Sequence, residues 1–95
     1  MVNISYTDHL KLRLKIRRIP YDYPKIIFNE PEQKFFDRVE ENYIAIKKLR
    51  YNNKERNMMI AYEKMDSDVE IITIHPIEEE KIINRIVSRR WIKNE

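Results

Sequence analysis

The stretch TDHLKLRLKIRRIP, residues 7–20, decides the fold because it fits two kinds of secondary structure. Its leucines and isoleucines alternate with lysines and arginines, which is the period-2 pattern of a half-buried strand. However, Thr7 is a suitable helix N-cap, leucine, lysine and arginine are good helix formers, and Pro20 is a natural stop. The pattern by itself leaves both structures open.

The helical alternative would have apolar residues on two sides. Leu10 and Leu14 would lie on one side, with Leu12 and Ile16 on the other. Such a helix suits a position between a sheet and a second helix, where both apolar sides are covered.

His9, Arg13 and Arg17 stand four residues apart, so a helix would align them on one face. Histidine titrates near neutral pH, and arginine is a permanent cation, so this face could hold a phosphodiester and move a proton beside it. As a strand, the three residues would spread over about 27 Å, against about 12 Å in a helix. Only the helix would let all three contact one dinucleotide.

The remaining sequence predicts an α+β fold with its helices on one side of a sheet. A short second helix is expected before Asn29, with Pro24 in its first turn, and the pair Asn52-Asn53 suits a hairpin turn. An antiparallel meander of three to four strands is expected from a start at Phe35-Phe36 and from residues 43–51, 56–63 and 69–75. The last of these is the most hydrophobic and is expected to be central.

A C-terminal helix packed on the sheet is predicted after residue 77. Glutamates crowd its start and basic residues its end, which complements the helix macrodipole. Its expected apolar stripe consists of Ile82, Ile83, Ile86, Val87 and Trp91. Arg85 and Arg89 would share another face of this helix.

Composition excludes several classes of site. The 95 residues predict a single domain, 1–95, and contain no cysteine, no glycine and two histidines. We therefore expect no disulfide, no thiolate metal site, no glycine-rich phosphate loop, and neither metal nor cofactor. No apolar run is long enough for a membrane span, and no secretory signal segment is evident, so a cytoplasmic protein without membrane partners is expected.

The net charge of +3 hides strongly charged segments. Residues 9–25 carry +5 and residues 47–56 carry +4, whereas residues 29–41 and 63–70 each carry −3. Basic segments suit a nucleic acid, because phosphate attraction is the sequence-independent part of such binding. A solvated surface with salt bridges between the segments would give the same pattern.

The pattern Thr7-x-His9-x3-Arg13-Leu14-x2-Arg17-x-Ile19 resembles the N-terminal signature of a small bacterial and archaeal family of unknown function. That signature is Ser-x-His-Ala-x2-Arg-Met-x2-Arg-Gly-Ile, and it lies on a helix followed by a short helix and a strand meander. The resemblance implies a helix for residues 8–18. The chain departs from the signature at Leu10, usually Ala, and at Arg18, usually Gly.

The C-terminal half is similar to the RelE and BrnT toxins, small ribonucleases of toxin–antitoxin pairs with helices packed on an antiparallel sheet. The similarity lies in Ile72-Thr73-Ile74-His75 followed by an arginine-bearing helix; BrnT has arginine where this chain has His75. The resemblance implies a metal-independent endoribonuclease that acts on RNA and is silenced by an antitoxin protein. Non-catalytic nucleic-acid binding, and a structural or partner-binding role such as a homodimer, remain alternatives.

RNA can be cleaved when its own 2′-hydroxyl attacks the neighbouring phosphorus. This reaction needs a base near the hydroxyl, an acid near the leaving oxygen, and cations for the charge that builds on the phosphate. His9 and His75 are the candidate catalytic residues, and Arg13, Arg17 and Arg56 are candidates for binding the substrate phosphate.

Tyr62 is the candidate for stacking on a base. The assignments of His9, the two arginines of the same helix face and His75 also have structural alternatives. His9 could cap a helix, Arg13 and Arg17 could pair with the acidic residues 29–41, and His75 could be a hydrogen-bonded strand-end histidine.

Overall fold

The computed structural model describes residues 2–94 and confirms the α+β class. Three helices accompany one sheet of six strands in this part of the chain. In chain order the elements are β1 (Asn3–Tyr6), α1 (Asp8–Arg17), α2 (Tyr23–Asn29), β2 (Gln33–Asp37), β3 (Asn42–Tyr51), β4 (Lys54–Met65), β5 (Asp68–Pro76), α3 (Glu79–Val87) and β6 (Trp91–Lys93).

The sheet is mixed, with strand order β1-β5-β4-β3-β2-β6. Strands β2 to β5 form the expected antiparallel meander, but β1 adds a parallel edge beside β5, and β6 adds an antiparallel edge beside β2. The expectation of three to four strands was therefore wrong by these two short edges. The central strands are β4 and β3, so the expectation that β5 is central was wrong as well.

Helices cover both faces of the sheet rather than one. Leu10 of α1 and Ile27 of α2 pack in a core on one face, with Ile60 of β4. Ile82 of α3 packs in a second core with Met59, the neighbour of Ile60 in the same strand. Because successive strand residues point to opposite faces, the two cores lie on opposite sides of the sheet.

The ambiguous first stretch is helical in α1. The Thr7 Oγ1 atom accepts a hydrogen bond from the Leu10 backbone N–H at 3.1 Å, which confirms Thr7 as the N-cap. Arg18 ends the helix in the left-handed region, with φ of 55°. Glycine is the usual residue at such a position, and the resembling signature has glycine there.

Only one of the two apolar sides of α1 is covered. Leu10 and Leu14 are buried, but Leu12 is 56% exposed and Ile16 is 68% exposed. The expected placement of α1 between the sheet and another helix was therefore wrong, because α2 contacts β3 and β4 while α1 contacts β5.

The other local predictions are confirmed before the last helix and wrong at its end. The α2 helix with Pro24 in its first turn is confirmed, and so is the Asn52-Asn53 hairpin turn, with φ of 52° and 64°. However, α3 ends at Val87, and Arg89, with φ of 63°, lies beyond it. Trp91 belongs to β6, where its buried ring stacks on Phe35, so it is not part of a helical stripe.

A bulge in β5 decides which side chains of this strand face which side of the sheet. The register against β4 shifts between Ala61 and Tyr62, and Ile72 has no partner there. The extra residue reverses the alternation, so His75 does not share the face of Ile71. Without the bulge, the imidazole of His75 would point into the core beneath α1.

Thr7 ties the start of α1 to this bulge. Its hydroxyl donates to the Ile72 carbonyl oxygen at 3.1 Å, and its backbone N–H donates to the Ile71 carbonyl oxygen at 3.1 Å. His9 lies two residues after Thr7, and His75 three residues after Ile72. One hydrogen-bonded junction thus fixes the approach of the two histidine-bearing segments.

Candidate functional site

A cleft of about 470 Å³ lies on the face of the sheet that carries α3. We call it the central cleft. Strands β3 to β5 contribute Ile44, Met59, Ala61, Thr73 and His75 to its lining, while α1 contributes His9 and α3 contributes Lys81 and Arg85. Both histidines of the chain therefore line one concave site.

His75 is half-buried in the central cleft and has one defined hydrogen bond. Its Nδ1 atom lies 3.0 Å from the Pro76 carbonyl oxygen. A carbonyl oxygen can only accept, so Nδ1 carries the hydrogen, and Nε2 is the unprotonated nitrogen of the neutral ring. His75 is thus a hydrogen-bonded histidine at a strand end, as the structural alternative expected, but only through Nδ1. Its Nε2 atom makes no hydrogen bond within residues 2–94.

The surroundings of His75 favour its neutral form. Burial lowers the pKa of His75 below the ordinary histidine value, partly opposed by the hydrogen bond to Pro76. The positive charges of Arg13, Lys81 and Arg17 lower this pKa further. The cations of α1 and α3 thus add to burial in favouring the neutral ring.

The predicted face of α1 forms a second, smaller hollow of about 200 Å³, which we call the α1 groove. It is lined by His9, Leu12, Arg13, Ile16 and Arg17. His9 lines both the α1 groove and the central cleft, so the two hollows adjoin.

The guanidinium groups of this face are not used in ion pairs. Among residues 2–94, Arg90–Asp37 is the one salt bridge, so the alternative in which Arg13 and Arg17 pair with residues 29–41 is not realised. The Nε atom of Arg13 is buried and has no hydrogen-bond partner in this part of the chain. The charges of Arg13 and Arg17 are thus not neutralised by a carboxylate of the described residues.

Two of the candidate residues lie elsewhere. Arg56 donates from Nε to the Tyr51 carbonyl oxygen at 3.0 Å and lines a different hollow, together with Glu78 and Glu79. It therefore lines neither of the two hollows that contain His9.

The ring of Tyr62 is only 2% exposed, packed edge-on against Phe28 and stacked on Tyr43. A nucleobase cannot reach this ring, so the assignment of Tyr62 to base stacking was wrong. Its position opposite Ile71 in the β4–β5 pair directs it into the core beneath α1 and α2.

Two cations of the central cleft did not emerge from the sequence as site residues. Lys81 and Arg85 are four residues apart on α3 and line the same wall. Their spacing is visible in the sequence, but only the position of α3 over the sheet directs that face toward the two histidines. Arg89, which was expected to share the face of Arg85, lies outside α3.

Asp37 organises the far end of the central cleft. Its carboxylate accepts hydrogen bonds from Arg90 Nε at 3.1 Å, from Trp91 Nε1 at 3.1 Å, and from the backbone N–H groups of Val39 at 2.9 Å and Glu40 at 3.2 Å. Burial alone would raise the pKa of Asp37, but these hydrogen bonds outweigh it and lower the pKa. Asp37 is therefore a charged, fully engaged structural group.

The stability of the protein is expected to fall as the pH drops below about 6.5, the ordinary pKa of histidine, because the unfolded chain binds a proton at His75 more readily than the folded chain. The loss should stop below the lowered folded-state pKa, where both states are protonated, with a slope of at most about 1.4 kcal/mol per pH unit between. Urea unfolding of the wild type and of His75→Asn from pH 8 to pH 4 measures it. Asparagine keeps an N–H donor near the Nδ1 position, and a pH dependence identical in both proteins would contradict the expectation.

Residues 2–94 contain no cluster of three or more histidine or carboxylate side chains able to hold a metal ion. No helix in the same range has the length and apolar character needed to cross a membrane.

Comparisons of this chain with protein-family models, curated proteins and solved structures find no match. The assignment of the site therefore depends on its geometry and charge.

Proposed function

We propose that the protein is a metal-independent endoribonuclease of the RelE/BrnT kind, which cleaves RNA through attack by the substrate's own 2′-hydroxyl. The observation that carries the proposal is the meeting of both histidines with the unpaired Arg13 and Arg17 around two adjoining hollows. The set contains the proton carriers and the permanent cations that this reaction needs.

His75 suits the role of general base. Its Nδ1–H bond to Pro76 leaves Nε2 with a free lone pair, and its lowered pKa keeps the ring neutral. In the proposed reaction, Nε2 takes the proton of the 2′-hydroxyl as the 2′-oxygen forms a bond to phosphorus. The bond from phosphorus to the 5′-oxygen breaks, and His9 gives that oxygen a proton.

Arg13 and Arg17 suit the phosphate. A guanidinium group can donate two parallel hydrogen bonds to one phosphate and stays charged throughout the reaction. As negative charge builds on the non-bridging oxygens, their attraction to these groups increases, which lowers the barrier. Lys81, whose charge also acts on His75, adds a third cation from the opposite wall of the central cleft.

The products distinguish this mechanism. Purified protein incubated with single-stranded RNA in EDTA should yield fragments ending in a 2′,3′-cyclic phosphate and fragments beginning with a 5′-hydroxyl, as measured by mass spectrometry. The same sequence with 2′-deoxyribose throughout is the matched control and should stay intact. Fragments with a 5′-phosphate, or cleavage that EDTA abolishes, would contradict the proposal.

A second candidate function, RNA binding without cleavage, is favoured by the free guanidinium groups of Arg13 and Arg17, since phosphate contact needs only these. RNA binding that weakens with salt, together with intact RNA after prolonged incubation, would support this second function and exclude the ribonuclease.

Within the ribonuclease proposal, an antitoxin protein is the proposed partner, and it should abolish cleavage when bound.

A further inference from the structure

The α1 groove contains a feature that phosphate chemistry does not require. Leu12 and Ile16 line it beside the two arginines, and both are more than half exposed to solvent. They are one helical turn apart, parallel to the row formed by Arg13 and Arg17. An apolar row and a cationic row thus run side by side along the same helix.

We propose that the α1 groove binds one unpaired nucleobase, with its face against Leu12 and Ile16, while Arg13 and Arg17 hold the adjoining phosphates. The inference rests on the proposed ribonuclease function and adds its substrate class, single-stranded RNA. In a nucleotide, the flat face of the base is apolar and the phosphate beside it is charged. This pairing of an apolar group with a charged one matches the apolar row and the cationic row of α1.

The size and charge of the groove support a base as its occupant. At about 200 Å³ it is smaller than the ~300–1,000 Å³ of common ligand sites, which suits a single ring system. Its lining within residues 2–94 contains two guanidinium groups and no carboxylate. This lining suits an occupant that combines an apolar surface with negative charge.

The position of the groove fixes where this nucleotide lies relative to the reaction. His9 lines both hollows. If His9 contacts the scissile phosphate in the central cleft, the nucleotide attached to that phosphate can therefore lie in the α1 groove. The bound base therefore belongs to a nucleotide next to the scissile phosphate. In a duplex, both faces of that base would be covered by stacking and its edge by pairing, so the site selects unpaired RNA.

Oligonucleotide binding tests the inference. The probes are RNA pentanucleotides with 2′-deoxyribose at the cleaved nucleotide, which blocks attack, and an abasic residue at each of the positions in turn, the cleaved nucleotide included. For the wild type, we expect one position next to the cleavage site where loss of the base weakens binding about tenfold, equivalent to about 1.4 kcal/mol.

The variant Leu12→Ala/Ile16→Ala should bind the intact probe more weakly and lose this positional penalty, so that the abasic probe differs by less than about twofold. Both residues are exposed on a helix, where alanine is well tolerated, and thermal unfolding checks the fold. The matched control is Ile83→Ala/Val87→Ala, which removes two exposed apolar side chains from α3 and should keep the wild-type pattern.

The outcomes separate the inference from the function. A positional penalty that persists in Leu12→Ala/Ile16→Ala, or no positional penalty in the wild type, would overturn the base site while leaving RNA cleavage in place. Equal cleavage of an all-ribose RNA of the same sequence in single-stranded and duplex form would overturn the substrate class. Failure of the wild type to bind any probe at low salt would overturn both the base site and the proposed function.

Discussion

Replacing His75 with alanine is expected to reduce the rate of RNA cleavage by about 10²–10⁴-fold, the usual contribution of a positioned proton carrier. The 2′-hydroxyl would then have to give its proton to water instead of to Nε2 of His75. His9→Ala should cause a loss of similar size, because the 5′-oxygen would leave without a proton. Cleavage rates under single-turnover conditions measure both effects, and the double variant should lose less than the product of the two.

The control for this pair is Lys11→Ala. Lys11 is an exposed cation of α1 that lines neither hollow, so its loss should change cleavage only slightly. Thermal unfolding should show that all variants remain folded. Unchanged cleavage by clean His9→Ala protein would remove His9 from the mechanism, and the same result for His75→Ala would remove the proposed base.

Replacing Asp37 with alanine is expected to destabilise the fold by about 3 kcal/mol, the lower end of the cost of breaking a buried ion pair. Asp37 is 3% exposed, and its carboxylate accepts hydrogen bonds from Arg90 and Trp91 and from two backbone N–H groups. Its removal leaves the buried indole N–H unpaired. Arg90 is partly exposed and can regain water, so the lower end applies. Because the free energy of unfolding of a native protein is only about 5–15 kcal/mol, urea unfolding should show this loss clearly.

Asp22→Ala is the matched control for Asp37→Ala. Asp22 precedes α2 but makes no side-chain capping hydrogen bond, and it is exposed, so the change should stay within about 0.5 kcal/mol. A similar stability for Asp37→Ala and Asp22→Ala would contradict the structural role of Asp37.

Local signals in the sequence located much of the fold. Thr7 as a cap, Pro24 in a first turn and Asn52-Asn53 as a hairpin are effects of neighbouring residues, and each is found where expected. The meander follows for the same reason, because antiparallel neighbours are joined by short turns. The two edge strands were missed because their partners are distant in the chain: β1 pairs with β5, about 65 residues away, and β6 pairs with β2.

The last helix shows how a local pattern can mislead. The apolar residues after residue 77 fit a helical stripe that ends with Trp91, but Asp37 in β2 provides a buried acceptor for the indole N–H. Pairing of Trp91 in β6 satisfies that bond and buries its ring against Phe35. The helix therefore stops early, and Ile83, Ile86 and Val87 are left exposed.

The sequence by itself determined the spacing of His9, Arg13 and Arg17, because spacing along one helix is a local property. It did not determine that α1 is a helix, since its apolar pattern fits a strand equally well and burial of Leu10 and Leu14 resolves the ambiguity. Tertiary structure alone decided that His75 joins this set. A single unpaired residue in β5, held by Thr7, turns the imidazole of His75 away from the core beneath α1 and into the central cleft that His9 also lines.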